Sequence, residues 1–180
     1  MNSKIPMTLR VAIYDEQLAL GMISSEDLAY IAGFFDGEGS VSIRIHHRDN
    51  GRLCVGFSLT ISNSNKNILD WVASYLGGKV YTNTTASKTL VMYNWQLRNH
   101  KSLKIVLTAL LPYLRVKRNQ ALLLLKAISL LKPRPGTRKG INRKGASLRH
   151  PDEYFNQFCQ LHQELLELRE SEKNRLLCKE

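Results

Sequence analysis

Residues 24–41 read SSEDLAYIAGFFDGEGSV, and the fold is decided there. Ser24 and Ser25 suit the cap of a helix whose first turn then carries Glu26 and Asp27, where acids favour the helix dipole. Ala29, Gly33 and Gly37 recur every four residues and form one row of small side chains, flanked by Leu28, Ile31, Phe34 and Phe35. A glycine inside a helix costs roughly 1 kcal/mol relative to alanine, so two in one row call for a reason, and close approach of a second helix supplies one. The row ends in Asp36-Gly37-Glu38-Gly39, which sets two carboxylates at the helix C-terminus. An anion is disfavoured at that end, and a bound cation would relieve it. A phosphate loop is a poor fit, because these glycines end a helix and precede a strand, the reverse of the order such loops need.

Outward from this stretch the periodicity changes. Val41, Ile43 and Ile45 alternate with Ser42, Arg44 and His46, the two-residue period of a half-buried strand. Asp49-Asn50-Gly51 is a hairpin turn, and Leu53, Val55, Phe57, Leu59 and Ile61 return on the apolar face. A helix is predicted over 65–76, stopped by Gly77-Gly78. A second hairpin follows, with Val80 and Thr82, then Val91, Tyr93, Trp95 and Leu97, on one side, and a polar loop near 84–88. Two further helices are predicted over 103–111, closed by Pro112, and over 118–131. This order makes an α+β domain in which helices cover one face of an antiparallel sheet and leave the other free.

The flanks divide the chain into an N-terminal extension (1–23), a core domain (24–131), a basic arm (132–150) and a C-terminal helix packed on the core (151–180). The extension has apolar positions without a clean period. The arm holds seven Lys or Arg with three glycines and two prolines, and it cannot build a core. In the last segment Tyr154, Phe158, Leu161, Leu165 and Leu168 keep a helical stripe.

Composition narrows the class of partner. Lys and Arg total 26 against 15 Asp and Glu, a formal charge of +11, which favours a polyanion such as nucleic acid. Cys54, Cys159 and Cys178 match neither a disulfide framework nor zinc-ligand spacing, so no disulfide is expected and a reducing intracellular compartment is, with organelle, cytoplasm and nucleus left open. No apolar run is long enough to span a membrane; the best, 121–131, is short and broken by Lys126.

The segment Ile31-Ala32-Gly33-Phe34-Phe35-Asp36-Gly37-Glu38-Gly39 resembles the signature of the LAGLIDADG homing endonucleases, and the resemblance extends over about 26–131. It implies a saddle-shaped antiparallel sheet in an αββαββα order. A single motif implies a homodimer in which Ala29, Gly33 and Gly37 meet their counterparts. It also implies that Glu38, with the Gly37 carbonyl, holds Mg²⁺ between the two helix ends, a place that Mn²⁺ or Ca²⁺ could also take. Asp36 is the alternative ligand, with a structural role the better match to the family pattern. Three further site residues follow from the resemblance: Asn63 at a strand end, Lys66 just after it, and Lys117 in the segment PYLRVKRNQA at 112–121. Asn63 also suits a simple helix cap, and both lysines suit plain phosphate contacts. The long upstream extension departs from the family pattern.

The activity implied is site-specific cleavage of both strands of a long pseudo-palindromic DNA by metal-dependent phosphodiester hydrolysis. The alternative is a non-cleaving binder of the same fold, either an intron RNA maturase or a DNA-binding regulator. Alternation assigns Ser42, Arg44, His46, Ser58, Thr60, Tyr81, Asn83, Asn94, Gln96 and Arg98 to the open face of the sheet as DNA contacts, joined by Arg48 and Lys79. Arg138, Lys139, Arg143 and Lys144 of the arm are expected to meet phosphates. His46 and His47 point to opposite faces of one strand, which argues against a histidine metal nuclease.

Overall fold

The computed structural model describes residues 23–47, 53–83, 91–132 and 152–177. Within them the order is α1 (Ser25–Glu38), β1 (Gly39–His47), β2 (Leu53–Asn63), α2 (Lys66–Leu76), β3 (Lys79–Asn83), β4 (Met92–Leu97), α3 (His100–Leu110), α4 (Arg118–Ser129) and α5 (Asp152–Leu177). Residues 1–22 of the N-terminal extension, both hairpin turns and residues 133–150 of the basic arm lie outside the described residues, and so do Arg48, Arg138, Lys139, Arg143 and Lys144.

Helix α1 starts as its sequence predicts. The Ser24 hydroxyl accepts the Asp27 N–H at 3.0 Å, and Ile23 and Leu28, on either side of the cap, are both buried. A cap of this kind is worth about 1 kcal/mol. At the other end α1 passes directly into β1 through Gly39, whose N–H reaches the Phe35 carbonyl. A Cβ at Gly39 would stand 2.4 Å from the Phe35 ring, so only glycine fits this junction.

The four strands form one antiparallel sheet in the order β1-β2-β4-β3. Register pairs Val41 with Leu59, Ile43 with Phe57 and Ile61 with Trp95, which puts the apolar residues of neighbouring strands on one face. That face carries the core: Val41, Ile43, Leu59, Ile61 and Trp95 are all at most 1% exposed. Leu103, Leu107 and Leu124 join them from α3 and α4, and Phe158, Leu161 and Leu165 from α5. Trp95 also fixes the α2–β3 turn, its indole N–H donating to the Gly77 carbonyl at 2.7 Å.

Helix bounds differ from the expected ones by more than a residue in α3 and α4. Helix α3 begins at His100 rather than 103, because Asn99 accepts the N–H groups of Lys101 and Ser102 and caps it earlier. Helix α4 ends at Ser129 rather than 131. Among the described residues no helix is long and apolar enough to cross a membrane.

Candidate active site

The C-terminal end of α1 meets the segment leading into α4. Asp36 takes three backbone N–H groups there, from Arg115 (2.7 Å), Val116 (3.1 Å) and Lys117 (2.8 Å). These donors lie in the turn that leads into α4, and Lys117, the N-cap of that helix, makes no side-chain cap of its own. A carboxylate misplaced on one dipole is thus well placed on another. Both Asp36 oxygens accept backbone N–H groups, the arrangement of a carboxylate in a structural role.

The same junction delivers Lys117. Its ammonium donates to the backbone carbonyl of Asp36, one of the open carbonyls at the end of α1. Burial pushes the Lys117 pKa down, while Asp36, Glu172 and Glu38 pull in the opposite direction. Glu38 itself is exposed, and its carboxylate makes no hydrogen bond among the described residues.

Two residues that the sequence reading missed close the other side. On α5, the half-buried Arg169 guanidinium donates to the Val41 carbonyl and to the Ser40 hydroxyl, tying the helix to the start of β1. Glu172, one turn on, accepts from the side chain of Gln120, which is only 3% exposed near the start of α4. A signal for Glu172 was available: it continues the spacing of Leu161, Leu165 and Leu168, so the apolar stripe turns acidic where it reaches the site.

The remaining predicted site residues are placed differently. Asn63 lies two residues past Ile61, whose register partner is Gly39, so it adjoins the end of α1. Its side-chain oxygen accepts the Asn65 N–H at 2.8 Å, and Asn65 in turn caps α2. Lys66 is exposed and pairs with Asp70 at 2.6 Å along α2. Neither side chain has a bond to Glu38 or Lys117.

The open face of the sheet holds the predicted contact residues in two states. Arg44, His46, Lys79, Tyr81 and Arg98 are exposed, and the two strands at the sheet edges, β1 and β3, carry most of them. In the middle, Asn94 accepts from Ser62 at 2.5 Å and Gln96 approaches Thr60 at 3.5 Å. Gln96 is 9% and Ser58 3% exposed, which corrects their reading as freely exposed contacts: alternation fixes the face of a side chain but not how its neighbours cover it. Ser42, Thr60 and Asn83 are half-buried. A cavity of about 780 Å³ lies around Gly56, lined by Ser42, Arg44, His46 and Arg98 among others.

Among the described residues no group of three or more His, Cys, Asp or Glu could hold a metal ion. Among the described residues, the end of α1 presents one carboxylate without a hydrogen bond, Glu38, beside the open carbonyls of the helix. Hard oxygen donors of this kind suit Mg²⁺ or Ca²⁺, and a second set with phosphate oxygens would complete a shell. The donor chemistry fits such an ion as a shared ligand set rather than as a site within one chain.

A four-stranded antiparallel sheet with helices packed on one face, its first strand running straight out of a helix that ends in an acid–glycine turn, defines the class. Residues 31–129 match the model of the LAGLIDADG endonuclease family, and the chain belongs to it. It is 32% identical over 108 residues to DNA endonuclease I-CreI of Chlamydomonas reinhardtii, a match that covers 60% of this chain and 66% of that relative. Among solved structures it is similar to the homing endonuclease I-CvuI bound to the I-CreI target with Mg (26% identity, TM-score 0.62, 79% of this chain and 82% of the other). I-CvuI bound to its own target with Ca gives 27% identity and a TM-score of 0.61 over the same shares of the two chains. The archaeal intron-encoded I-Vdi141I, at 19% identity and a TM-score of 0.62, shares the fold.

Proposed function

We propose that this protein is a site-specific DNA endonuclease that acts as a homodimer through α1 and cleaves both strands of a pseudo-palindromic target with a divalent cation, Mg²⁺ first among them. The observation that carries the reading is the pairing of an unengaged Glu38 with a half-buried Lys117 fixed on the same helix end. A protein that only bound DNA would need neither. The relatives bear on the substrate: I-CreI is a DNA endonuclease, and I-CvuI has been captured on target DNA.

Room on α1 supports the dimer. Among the described residues a Cβ at Gly33 or Gly37 would meet nothing within 4 Å, which leaves this face of α1 open for the close approach of a second helix. Two α1 helices side by side, pointing the same way, bring two Glu38 carboxylates to one place between two strands of DNA. Glu38 and the Gly37 carbonyl would hold the ion there, with phosphate oxygens completing the shell. When bound, such an ion neutralises charge on the phosphoryl group and lowers the pKa of a bound water. Lys117 holds a proton against the phosphate, where its charge offsets what develops on the phosphoryl and leaving oxygens. The Asp36 carbonyl keeps that ammonium from swinging away.

Glu38→Gln tests the reading, since it removes the charge with little change of shape. Cleavage of a selected target should be lost while duplex binding persists. Wild-type cleavage by the variant would refute the assignment of Glu38.

A further inference from the structure

Helix α1 has two unlike flanks on either side of its open face. Gly33, Glu26 and Gly37 form the open centre. On one flank, Ala29, Gly33 and Asp36 line a groove of about 320 Å³ whose far wall is Pro112, Tyr113 and Arg115. On the other flank stands an aromatic ledge. Tyr30 packs edge-on against Trp71 of α2 at 5.6 Å between ring centres, Trp71 packs against Tyr75 at 5.2 Å, and Phe34 lies 6.5 Å from Tyr30. Tyr30 is 56% exposed, among the most exposed of the large apolar side chains described.

From these flanks we infer that, in the homodimer, the aromatic ledge of one protomer receives Arg115 and the groove wall of the other. The inference rests on the dimer proposed above and adds its register. Two α1 helices that bring both Glu38 carboxylates together must run parallel, so the two-fold axis lies between and along them. Rotation about such an axis sets each flank of one helix against the opposite flank of its partner. An antiparallel pair would instead set like against like, Tyr30 on Tyr30. In the parallel case the exposed guanidinium of Arg115 arrives over the Tyr30–Trp71 face, a cation–π contact. The groove beside Ala29 is in turn open to a bulky side chain, and Tyr30 of the partner subunit is the one that symmetry presents. Two unlike flanks that complement one another favour closure as a dimer over side-by-side stacking.

A photo-crosslinker tests the register. With p-benzoylphenylalanine in place of Tyr30, illumination of the full-length dimer should give a dimer band whose crosslinked peptide contains Pro112–Arg115. A peptide pairing the two copies of position 30 would overturn the inference. A double-mutant cycle on these two exposed positions supplies the second measurement, with the melting temperature of each variant protomer read alongside. Tyr30→Ala and Arg115→Ala should each raise the dimer dissociation constant by roughly tenfold, because each dimer holds two copies of the contact. The double variant should be little worse than either single one. Fully additive losses in a dimeric protein would refute the contact but leave the dimer. A wild-type chain that stays monomeric, free and on its DNA, would refute the dimer and this inference with it.

Discussion

Asp36 and Lys117 divide the polar work at the end of α1: the carboxylate organises backbone, and the ammonium sits on the Asp36 carbonyl, where the proposed chemistry would need it. The division has consequences in pH. Burial lowers the Lys117 pKa from its ordinary 10.5, so the folded protein holds this proton less tightly than the unfolded chain does. Between the lowered value and the ordinary one the unfolded chain binds more protons, and stability therefore rises with pH through that window. Activity should move the other way, because the neutral amine can no longer offset phosphate charge. A cleavage rate falling on the alkaline side while the melting temperature rises is the expected pair of results, and Lys117→Gln should lose both trends. A cleavage rate flat through the same window would remove Lys117 from the chemistry. Much of this was legible in the sequence: acid, glycine and acid at a helix end are local, and so is the lysine in its segment. The triple use of Asp36 was not, because its partners lie 79 to 81 residues away. The bond from Gln120 to Glu172, 52 residues apart, was hidden for the same reason, although the helical stripe pointed to the position of Glu172.

At the scale of elements, α1 and its C-cap hold three glycines whose reasons differ. Gly39 is required within the chain, with the Phe35 ring and carbonyl against its α-carbon, whereas Gly33 and Gly37 face open space. Gly39→Ala should therefore destabilise the protomer by about 1–3 kcal/mol, the usual range for overpacking. Gly33→Leu should leave the protomer as stable or more so, since leucine is the better helix former. Its bulk should nevertheless separate the subunits. Melting at low concentration reads the first effect and sedimentation the second. A Gly33→Leu chain that still dimerises like the wild type would show that this face meets something other than itself. The hairpins and helices were readable from periods of two and of three to four, which each element carries within its own residues. The early start of α3 was not, because it turns on one capping asparagine in a stretch with no apolar period.

Across the whole molecule, the charge of +11 and the sheet would have separable roles in the proposed grip on DNA. Affinity without sequence preference comes from lysines and arginines on phosphates, and sequence is read at base edges. The sheet edges carry the exposed polar groups, while Ser58 and Gln96 in its middle are covered. Discrimination should thus depend most on side chains such as Arg44, on edge strand β1, whose fork matches guanine in the major groove. Arg44→Ala is expected to cost about 1–3 kcal/mol on the preferred site and to relax choice at one base pair per half-site. Two-fold symmetry would repeat the effect at the mirrored position. Lys139→Ala, in the basic segment, should weaken all sequences alike and make the dependence of binding on salt shallower by about one unit. Titrations on single-base variants at two salt concentrations separate the two. If Arg44→Ala weakened every variant equally, the sheet would act only as an electrostatic platform, and target choice would have to come from how the duplex bends.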